Sequence, residues 1–288
     1  MIQLRKYLFS LVTAILLSSF SLASQATDKG LFWKLESPTG ITSYLFGTIH
    51  TDDNRVADIS PNVINAIKSV GTFIMEAEPN QDQSVLMMQG RSLAEMITEP
   101  EFEQVKTMAD FHTMHLDAAM QMKPWLLAVI FDLHKPQTPF AQDNLLMTKA
   151  EESGKKVLGI ETAKEHFAVM DNFSIEEQMV MLRAVLKRTS EQKEADFERL
   201  INAYLAGDSD KITALDEQIT GGMLPADIWV KMRRKLLDER NVVMAQRSIA
   251  VANEKPVFVA VGASHLAGDN GLIAAFKKAG FKLSTLQK

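Results

Sequence analysis

The chain has 288 residues, of which 46% are hydrophobic and 23% are charged, a composition typical of a globular protein with one large domain or two small ones. Its formal net charge of −5 argues against a nucleic-acid partner. There is no cysteine, which excludes disulfides, thiolate metal sites and a cysteine nucleophile, so any metal must be held by His, Asp, Glu or water.

The first 26 residues have the order of a secretory signal peptide. Arg5 and Lys6 precede an apolar stretch at 7–17, and small residues follow as far as Ala26. This order predicts cleavage after Ala26, or after Ala23, and therefore a periplasmic or secreted protein. Loss of the two basic residues lowers the formal net charge to −7. The apolar stretch is short for a membrane anchor, which leaves an uncleaved anchor as the less favoured alternative, and no other segment is apolar enough to span a bilayer.

Six short apolar runs predict strands, and most of the remaining chain has the three- and four-residue apolar spacing of helices. The predicted strands are Leu31–Leu35, Tyr44–Ile49, Thr72–Glu78, Lys156–Ile160, Pro256–Val261 and Lys282–Leu286. Helices are predicted at 61–69, 125–134, 175–205, 224–252 and 271–279. We therefore predict an α/β fold with a central mixed sheet built from both chain ends. A large helical insertion at about 84–252 belongs to the same single domain, residues 27–288.

Two of the predicted strands lead into the same pattern, a glycine followed three residues later by a histidine. Gly47-Thr48-Ile49-His50 ends the second strand, and Gly262-Ala263-Ser264-His265 follows the fifth. Open α/β sheets bind ligands at the carboxyl ends of their strands, and glycine permits a close approach there. One such histidine is more often a packed residue than a functional one. Its repetition in the same context favours a shared site.

Carboxylates occupy the same kind of position. Glu76 and Glu78 lie on one face at the end of the third strand, and Glu161 directly follows the fourth. Taken singly, each could be a solvated strand end or a charge at a helix N-terminus. Together with His50 and His265, they predict two imidazoles and one or two carboxylates in one cleft, the donor set of an open divalent-metal site. Zinc, manganese and cobalt all suit this set, and the sequence does not choose among them.

Six segments of the chain resemble the TraB/GumN family, to which the TIKI metalloproteases belong. They are SYLFGTIH, FIMEAEP, KPWLL, LGIETAKEHF, ERNVVMA and VAVGASHLAGDNGLIAAFKKAGF, in order between about residues 31 and 286. The resemblance implies an α/β fold with metal-dependent hydrolase or peptidase chemistry. The matching site residues are His50, Glu76 and His265, with Glu161, Arg240 and Asn241 close by. His166 departs from the family pattern, which more usually has Gln at that position.

Three further residues are candidates for contact with a substrate. Arg240 and Asn241 lie in the predicted helix at 224–252. A guanidinium aimed into a carboxylate-lined cleft could stabilise an oxyanion or clamp a substrate carboxylate, the alternative being that Arg240 solvates the helix surface. Lys123 lies in a loop that leads into the helix at 125–134 and, with Asn241, is a candidate substrate-binding residue.

The predicted function is an exported, metal-dependent hydrolase that is peptidase-like and acts on a peptide or small molecule. An ion held by the two histidines and Glu76 would polarise the scissile carbonyl and activate water. Glu78 or Glu161 would accept the proton, and Arg240 would steady the oxyanion. Two alternatives stay open: a non-catalytic periplasmic protein that binds a peptide or signalling molecule on the same fold, and a metal-independent esterase with His50 as general base.

Overall fold

The computed structural model describes residues 29–79, 82–135, 138 and 140–288. The predicted signal peptide lies outside the described residues. Across the described part of the chain, no helix combines the length and the apolar character needed to cross a membrane.

A six-stranded mixed sheet forms the centre of the protein. Its strands are β1 (Phe32–Glu36), β2 (Thr42–Thr48), β3 (Thr72–Ala77), β4 (Lys156–Glu161), β5 (Val257–Gly262) and β6 (Lys282–Thr285). They lie in the order β4-β3-β5-β2-β1-β6. The first three strands and the last two come from opposite ends of the chain, which confirms the predicted α/β fold with a sheet assembled from both ends.

The strand directions determine where a site can form. β2 is parallel to β5, β5 to β3, and β3 to β4, whereas β1 is antiparallel to both β2 and β6. In the register, Thr48 pairs with Gly262 and Ala77 pairs with Glu161. The carboxyl ends of four parallel strands therefore lie at one edge of the sheet, where this class of fold binds its ligands.

Helices cover both faces of the sheet and make up most of the segment between β3 and β5. In the described residues they are α1 (Asn54–Ala57), α2 (Pro61–Ser69), α3 (Glu99–Phe111), α4 (Leu116–Gln121), α5 (Pro124–Asp132), α6 (Gln142–Glu152), α7 (Ala163–Asp171), α8 (Ile175–Leu186), α9 (Ser190–Leu205), α10 (Ser209–Met223), α11 (Ala226–Arg233), α12 (Glu239–Glu254) and α13 (Leu272–Lys278). A π-helical turn, Arg234–Asp238, joins α11 to α12. Short 3-10 turns lie at Gln83–Leu86, Leu93–Glu95 and Ala263–His265.

The predicted helix at 175–205 is in fact two helices, α8 and α9. The Thr189 side chain accepts a hydrogen bond from the backbone N–H of Gln192, and the Gln192 side chain accepts one from the N–H of Thr189. This capping box satisfies two backbone donors at the start of a new helix, so the chain turns between α8 and α9 although the apolar spacing continues across the break.

Apolar side chains pack on both faces of the sheet. Phe73, Phe258 and Leu146 belong to the cluster on one face, and Val259 and Met244 to the cluster on the other. Every residue of β5 is buried, which accounts for its uninterrupted apolar sequence. Each fully buried side chain of this size contributes about 1.5–3 kcal/mol, so the two clusters fix the plane of the sheet and the positions of its strand ends.

A third apolar cluster lies among the helices of the insertion and includes Trp125, Phe131 and Leu182. The boundaries predicted for a single domain, 27–288, stay a prediction.

Candidate active site

Four polar side chains lie at the carboxyl ends of the parallel strands. Glu76 lies in β3, and Glu161 is the last residue of β4. His50 follows β2 by two residues, and His265 ends the 3-10 turn that follows β5. Nε2 of His265 lies 3.6 Å from Oε1 of Glu76. The parallel strands thus bring together residues that are far apart in the sequence.

Gly262 lies where these side chains meet. Its backbone N–H donates to Oε1 of Glu76 over 2.5 Å. A Cβ on residue 262 would lie 3.0 Å from this oxygen, 3.6 Å from Nε2 of His50 and 3.7 Å from Cδ2 of His265. The backbone of Gly262, at φ −52° and ψ 140°, is accessible to any residue. The absence of a side chain here therefore preserves space among the two histidines and Glu76.

His265 is held by Asn241, the second residue of the pair predicted on α12. Nδ1 of His265 lies 2.6 Å from Oδ1 of Asn241, and the imidazole is 5% exposed. An amide oxygen only accepts hydrogen bonds, so Nδ1 carries the proton and the lone pair of Nε2 accepts from Nη1 of Arg240, 3.3 Å away. Burial lowers the pKa of His265 to about 4, against the opposing effect of Glu76, and the ring is neutral at neutral pH.

His50 is held by a carboxylate, Asp143 in the first turn of α6. Nδ1 of His50 lies 2.8 Å from Oδ2 of Asp143, and the hydroxyl of Thr48 donates to Oδ1 over 2.5 Å. The side chain of His50 is 62% exposed, in contrast to that of His265. Asp143 raises the pKa of His50 to about 10. One carboxylate therefore fixes both the strand end and the ring that follows it.

Gln142, the neighbour of Asp143, holds the backbone of the same segment. Its Oε1 accepts from the N–H of Ile49 over 3.2 Å, and its Nε2 donates to the carbonyl of Val56 over 2.7 Å. The hydroxyl of the buried Tyr204, from α9, lies 2.8 Å from Oε1 of Gln142 and 2.8 Å from the carbonyl of Gly47. We call Gln142 and Asp143 the α6 clamp, because together they hold residues 48–50 from one side.

Arg240 lies at the centre of the cluster and is 7% exposed. Its Nη2 donates to Glu76 over 2.8 Å and to Glu161 over 3.0 Å, and its Nε donates to Glu161 over 3.1 Å. Nη1 lies 3.3 Å from Nε2 of His265. Charge-assisted bonds to two carboxylates fix the guanidinium in one orientation. Arg240 therefore faces the cleft and does not solvate the helix surface.

The two glutamates in contact with Arg240 are ionised. Burial opposes ionisation of Glu76, but the positive charges around it, that of Arg240 among them, outweigh burial and lower its pKa below the usual range. The pKa of Glu161 is also lowered, because hydrogen bonds from His166 and Arg240 outweigh its burial. One guanidinium thus lies between two carboxylates and leaves an excess of negative charge on this group.

The π turn Arg234–Asp238 determines the direction in which Arg240 points. It lies immediately before α12, and a π turn adds one residue to a helical turn. One residue corresponds to a rotation of about 100° around an α-helix, so the π turn changes the face on which Arg240 and Asn241 lie. Both residues are buried and face the strand ends.

Glu78 and Lys123, two further predicted site residues, lie apart from this cluster. Glu78 follows the end of β3 and is exposed. Lys123 forms an ion pair with Asp171 over 2.8 Å. Both line a cavity of about 940 Å³ beside β4. A second cavity, of about 710 Å³, lies among α8, α9 and α10 and is lined by none of the clustered residues.

Similarity to a known protein family extends along most of the chain. A model described as the TraB/PrgY/gumN family matches residues 31–285. The chain belongs to this family. No solved structure matches it.

A curated relative of this TraB/PrgY/GumN chain is Metalloprotease TIKI1 of Danio rerio. The two are 21% identical over 301 residues, and the alignment covers 84% of this chain and 60% of the relative. The chain thus spans about 60% of that protein's length.

Two residues of this TraB/PrgY/GumN protein were missed in the sequence. Asp143 and Gln142 lie in the helical insertion, almost a hundred positions from the strand ends that they hold. Neither is in a GxxH pattern or at a strand end. The only local signal is their position before an apolar helical run, which is typical of any helix start.

The donor chemistry of the site fits a divalent cation. In both histidines an oxygen acceptor engages Nδ1, the kind of support that imidazole ligands have in metal sites. Nε2 of His50 and Cδ2 of His265 border the space at Gly262. Through the described ranges of the chain, however, no group of three or more His, Asp or Glu side chains is positioned to hold an ion. The guanidinium of Arg240 contacts Glu76 and lies next to His265.

Proposed function

We propose that this chain is an exported, metal-dependent hydrolase of peptide bonds. The observation that carries the proposal is the paired support of the two histidines. Asp143 engages one Nδ1 and Asn241 the other, and both rings border the space at Gly262. Membership of the TraB/PrgY/GumN family and the distant similarity to a protein named as a metalloprotease support the same reaction class.

In this proposal, His50, His265 and Glu76 hold the ion. Bound there, a divalent cation would supply Lewis acidity toward the scissile carbonyl and lower the pKa of a water molecule. The identity of the ion, among manganese, cobalt and zinc, stays open because all three accept imidazole and carboxylate ligands.

Other residues of the chain would orient the imidazoles and balance the charge that develops in the reaction. Asp143 and Asn241 fix the tautomers and orientations of the imidazoles. Arg240 lies at the border of the cleft, and its guanidinium would stabilise the oxyanion that forms when the carbonyl is attacked. Glu161 is buried and bonded to Arg240, so we assign it to holding the guanidinium. Glu78, exposed next to the strand end, stays a candidate proton acceptor.

A second candidate function is metal-independent hydrolysis with His50 as general base, which its raised pKa would confine to alkaline pH, where the ring is neutral. The exposed ring paired with the carboxylate of Asp143 is the arrangement by which many hydrolases orient a basic histidine. The two candidates differ in their response to chelation, since only the first requires a bound ion.

The test combines elemental analysis with hydrolysis of a synthetic peptide library. Wild-type protein should hold close to one divalent ion per chain, lose activity with a chelator and regain it with added manganese, cobalt or zinc. Glu76→Gln and His265→Ala should lose ion and activity together, whereas His115→Ala, at an exposed histidine in the insertion, should lose neither.

Other outcomes assign the remaining possibilities. Hydrolysis that survives chelation, but not the loss of His50, would replace the metal-dependent proposal with the second candidate. Peptide binding without hydrolysis under any condition would leave the non-catalytic binding protein.

A further inference from the structure

The cavity beside β4 lies next to the ends of the two strands that carry Glu76 and Glu161. Glu78 lines it and lies two residues beyond Glu76. Gly159 also lines it and lies two residues before Glu161. Its volume of about 940 Å³ is within the range of ligand-binding sites in proteins. A ligand in this cavity would therefore end close to the clustered side chains.

The wall of the cavity is the edge of the sheet and not one of its faces. Three successive residues of β4, Val157, Leu158 and Gly159, line it. Successive side chains of a strand point to opposite faces, and Val157 packs with the apolar cluster on only one of them. A cavity bordered by all three residues must run along the edge of the strand.

Among the described residues, the backbone of β4 leaves hydrogen-bonding positions open on this side as far as Gly159. The next carbonyl, that of Ile160, accepts from Nη1 of Arg247 over 2.8 Å. β4 is the first strand in the order of the sheet, and β3 is its neighbour on the inner side. The N–H of Lys156 donates inward to Gly71, so strand alternation turns the N–H and C=O groups of Val157 and Gly159 outward. An edge of this kind is a template for another extended chain.

We infer that the β4 edge binds the substrate as an added strand, so that the substrate class is an extended peptide. This inference rests on the proposed function. An extended backbone repeats its donors and acceptors every two residues, and it matches the spacing of the outward groups of β4. Val85 and Phe167 offer apolar contacts to alternate side chains. Lysines and carboxylates both border the cavity, so its charge favours neither acidic nor basic peptides. Backbone and apolar contacts therefore select the peptide.

Strand addition also explains how the peptide reaches the reacting groups. β4 leads directly into Glu161, whose carboxylate holds Arg240. A strand paired with Val157 and Gly159 would deliver a peptide bond beyond its paired segment to the cluster. Recognition would then depend on the peptide main chain, and side-chain preferences would be limited to positions that face the cavity.

Val157→Pro tests this inference, because proline removes the outward N–H of Val157 and leaves the inward N–H of Lys156 in place. Val157→Ala is the matched control, since it shortens the same side chain and keeps the N–H. Both are made in the Glu76→Gln background, so that peptides bind without turnover. The probes are a pool of fluorescein-labelled random decapeptides and the same pool with alternate backbone nitrogens methylated, followed by fluorescence anisotropy.

We expect Val157→Pro to weaken binding of the decapeptide pool at least 10-fold, and Val157→Ala to weaken it less than 3-fold. The methylated pool should bind at least 10-fold more weakly to protein with an intact Val157, a comparison that holds even if the proline variant does not fold. Equal binding of methylated and unmethylated pools, or no binding of either, would overturn the inference.

Turnover separates this inference from the proposed function. With Glu76 intact, Val157→Pro should raise KM for decapeptides and leave kcat for dipeptides, which are too short to pair along β4, within 2-fold. Hydrolysis of decapeptides with an unchanged KM would retain the proposed hydrolase and reject strand addition. Methylation-sensitive binding without hydrolysis would retain strand addition and reject the hydrolase.

Discussion

Replacing Gly262 by alanine would place a methyl group in the space that the two histidines and Glu76 border. The new carbon would lie 3.0 Å from the carboxylate and within 3.7 Å of both rings. The backbone conformation already suits alanine, and a Gly→Ala change at such a position stabilises a protein by about 0.4–1 kcal/mol through the unfolded state. This gain offsets the close contact with Glu76. We expect the free energy of unfolding to change by about 1 kcal/mol or less.

Activity should respond far more strongly than stability. A displacement of about 1 Å among reacting groups costs roughly 100-fold in rate, and the methyl group occupies the space between them. We therefore expect kcat/KM for the peptide library to fall at least ~100-fold, which corresponds to about 2.7 kcal/mol of transition-state stabilisation. Urea unfolding and library hydrolysis, measured on the same preparation, supply the two quantities.

Gly47→Ala, at the other GxxH glycine, is the matched control. A Cβ at Gly47 would lie 2.6 Å from Cδ1 of Leu266 and 3.2 Å from Cδ2 of Leu31. Overpacking of this kind costs about 1–3 kcal/mol, so this variant should lose stability. Wild-type activity in Gly262→Ala would refute the placement of the reaction at Gly262. A loss of stability in Gly262→Ala equal to that in Gly47→Ala would show that both glycines serve packing alone.

Four further predictions test the supports of the site and the rest of the chain. Asp143→Asn keeps the shape of the α6 clamp but removes its charge. We expect kcat/KM to fall about 10–100-fold and the free energy of unfolding to change by about 1 kcal/mol or less. Unchanged kinetics would contradict the role given to Asp143. Arg240→Met leaves two buried carboxylates without their cation and should reduce the free energy of unfolding by about 3–5 kcal/mol in urea; a variant as stable as wild type would contradict this. Burial lowers the pKa of His112 from 6.5 to about 4, so its contribution to stability is complete above pH 6.5 and is lost as the pH falls toward 4. Between pH 7.5 and pH 4, the free energy of unfolding of wild type should therefore fall by about 3 kcal/mol more than that of His112→Phe, as measured by urea unfolding at both pH values. An identical pH dependence in the two proteins would reject this prediction. The mature protein should begin at Thr27, or at Ser24 if the earlier cleavage is used, and an intact mass that starts at Met1 would reject the predicted export.

The sheet was predictable because its signal is local and strong. Buried strands such as β5 require uninterrupted apolar runs, and glycines follow several of them, so strand positions could be read directly. The convergence of residues near His50 and His265 then followed from the geometry of parallel strands. The burial of His265 could not be predicted from the sequence, since the depth of a strand end depends on the helices that cover it.

The supports of the site were not predictable in the same way. Asp143 contacts His50 across 93 positions, and no periodicity relates the two. The direction of Arg240 depends on one residue accommodated in the π turn, which apolar spacing does not reveal. The partners of Glu161 were likewise unexpected, because the sequence offered it as a proton acceptor and its side chain is engaged by Arg240 and His166. Each of these features arises from packing between distant segments.

The pairing of β2 with β5 joins the two GxxH segments across most of the chain. Tyr44 pairs with Phe258, and the hydroxyl of Ser43 accepts from the N–H of Val257 across 214 positions. Contacts between residues so far apart in the sequence form slowly, because the long loop between them must be closed before the contacts can stabilise the fold. The helices of the insertion have far more local contacts and can form first. The proposed hydrolytic activity, measured during refolding, should then return later than the helical circular dichroism signal, because the site is complete only when β2 and β5 have paired.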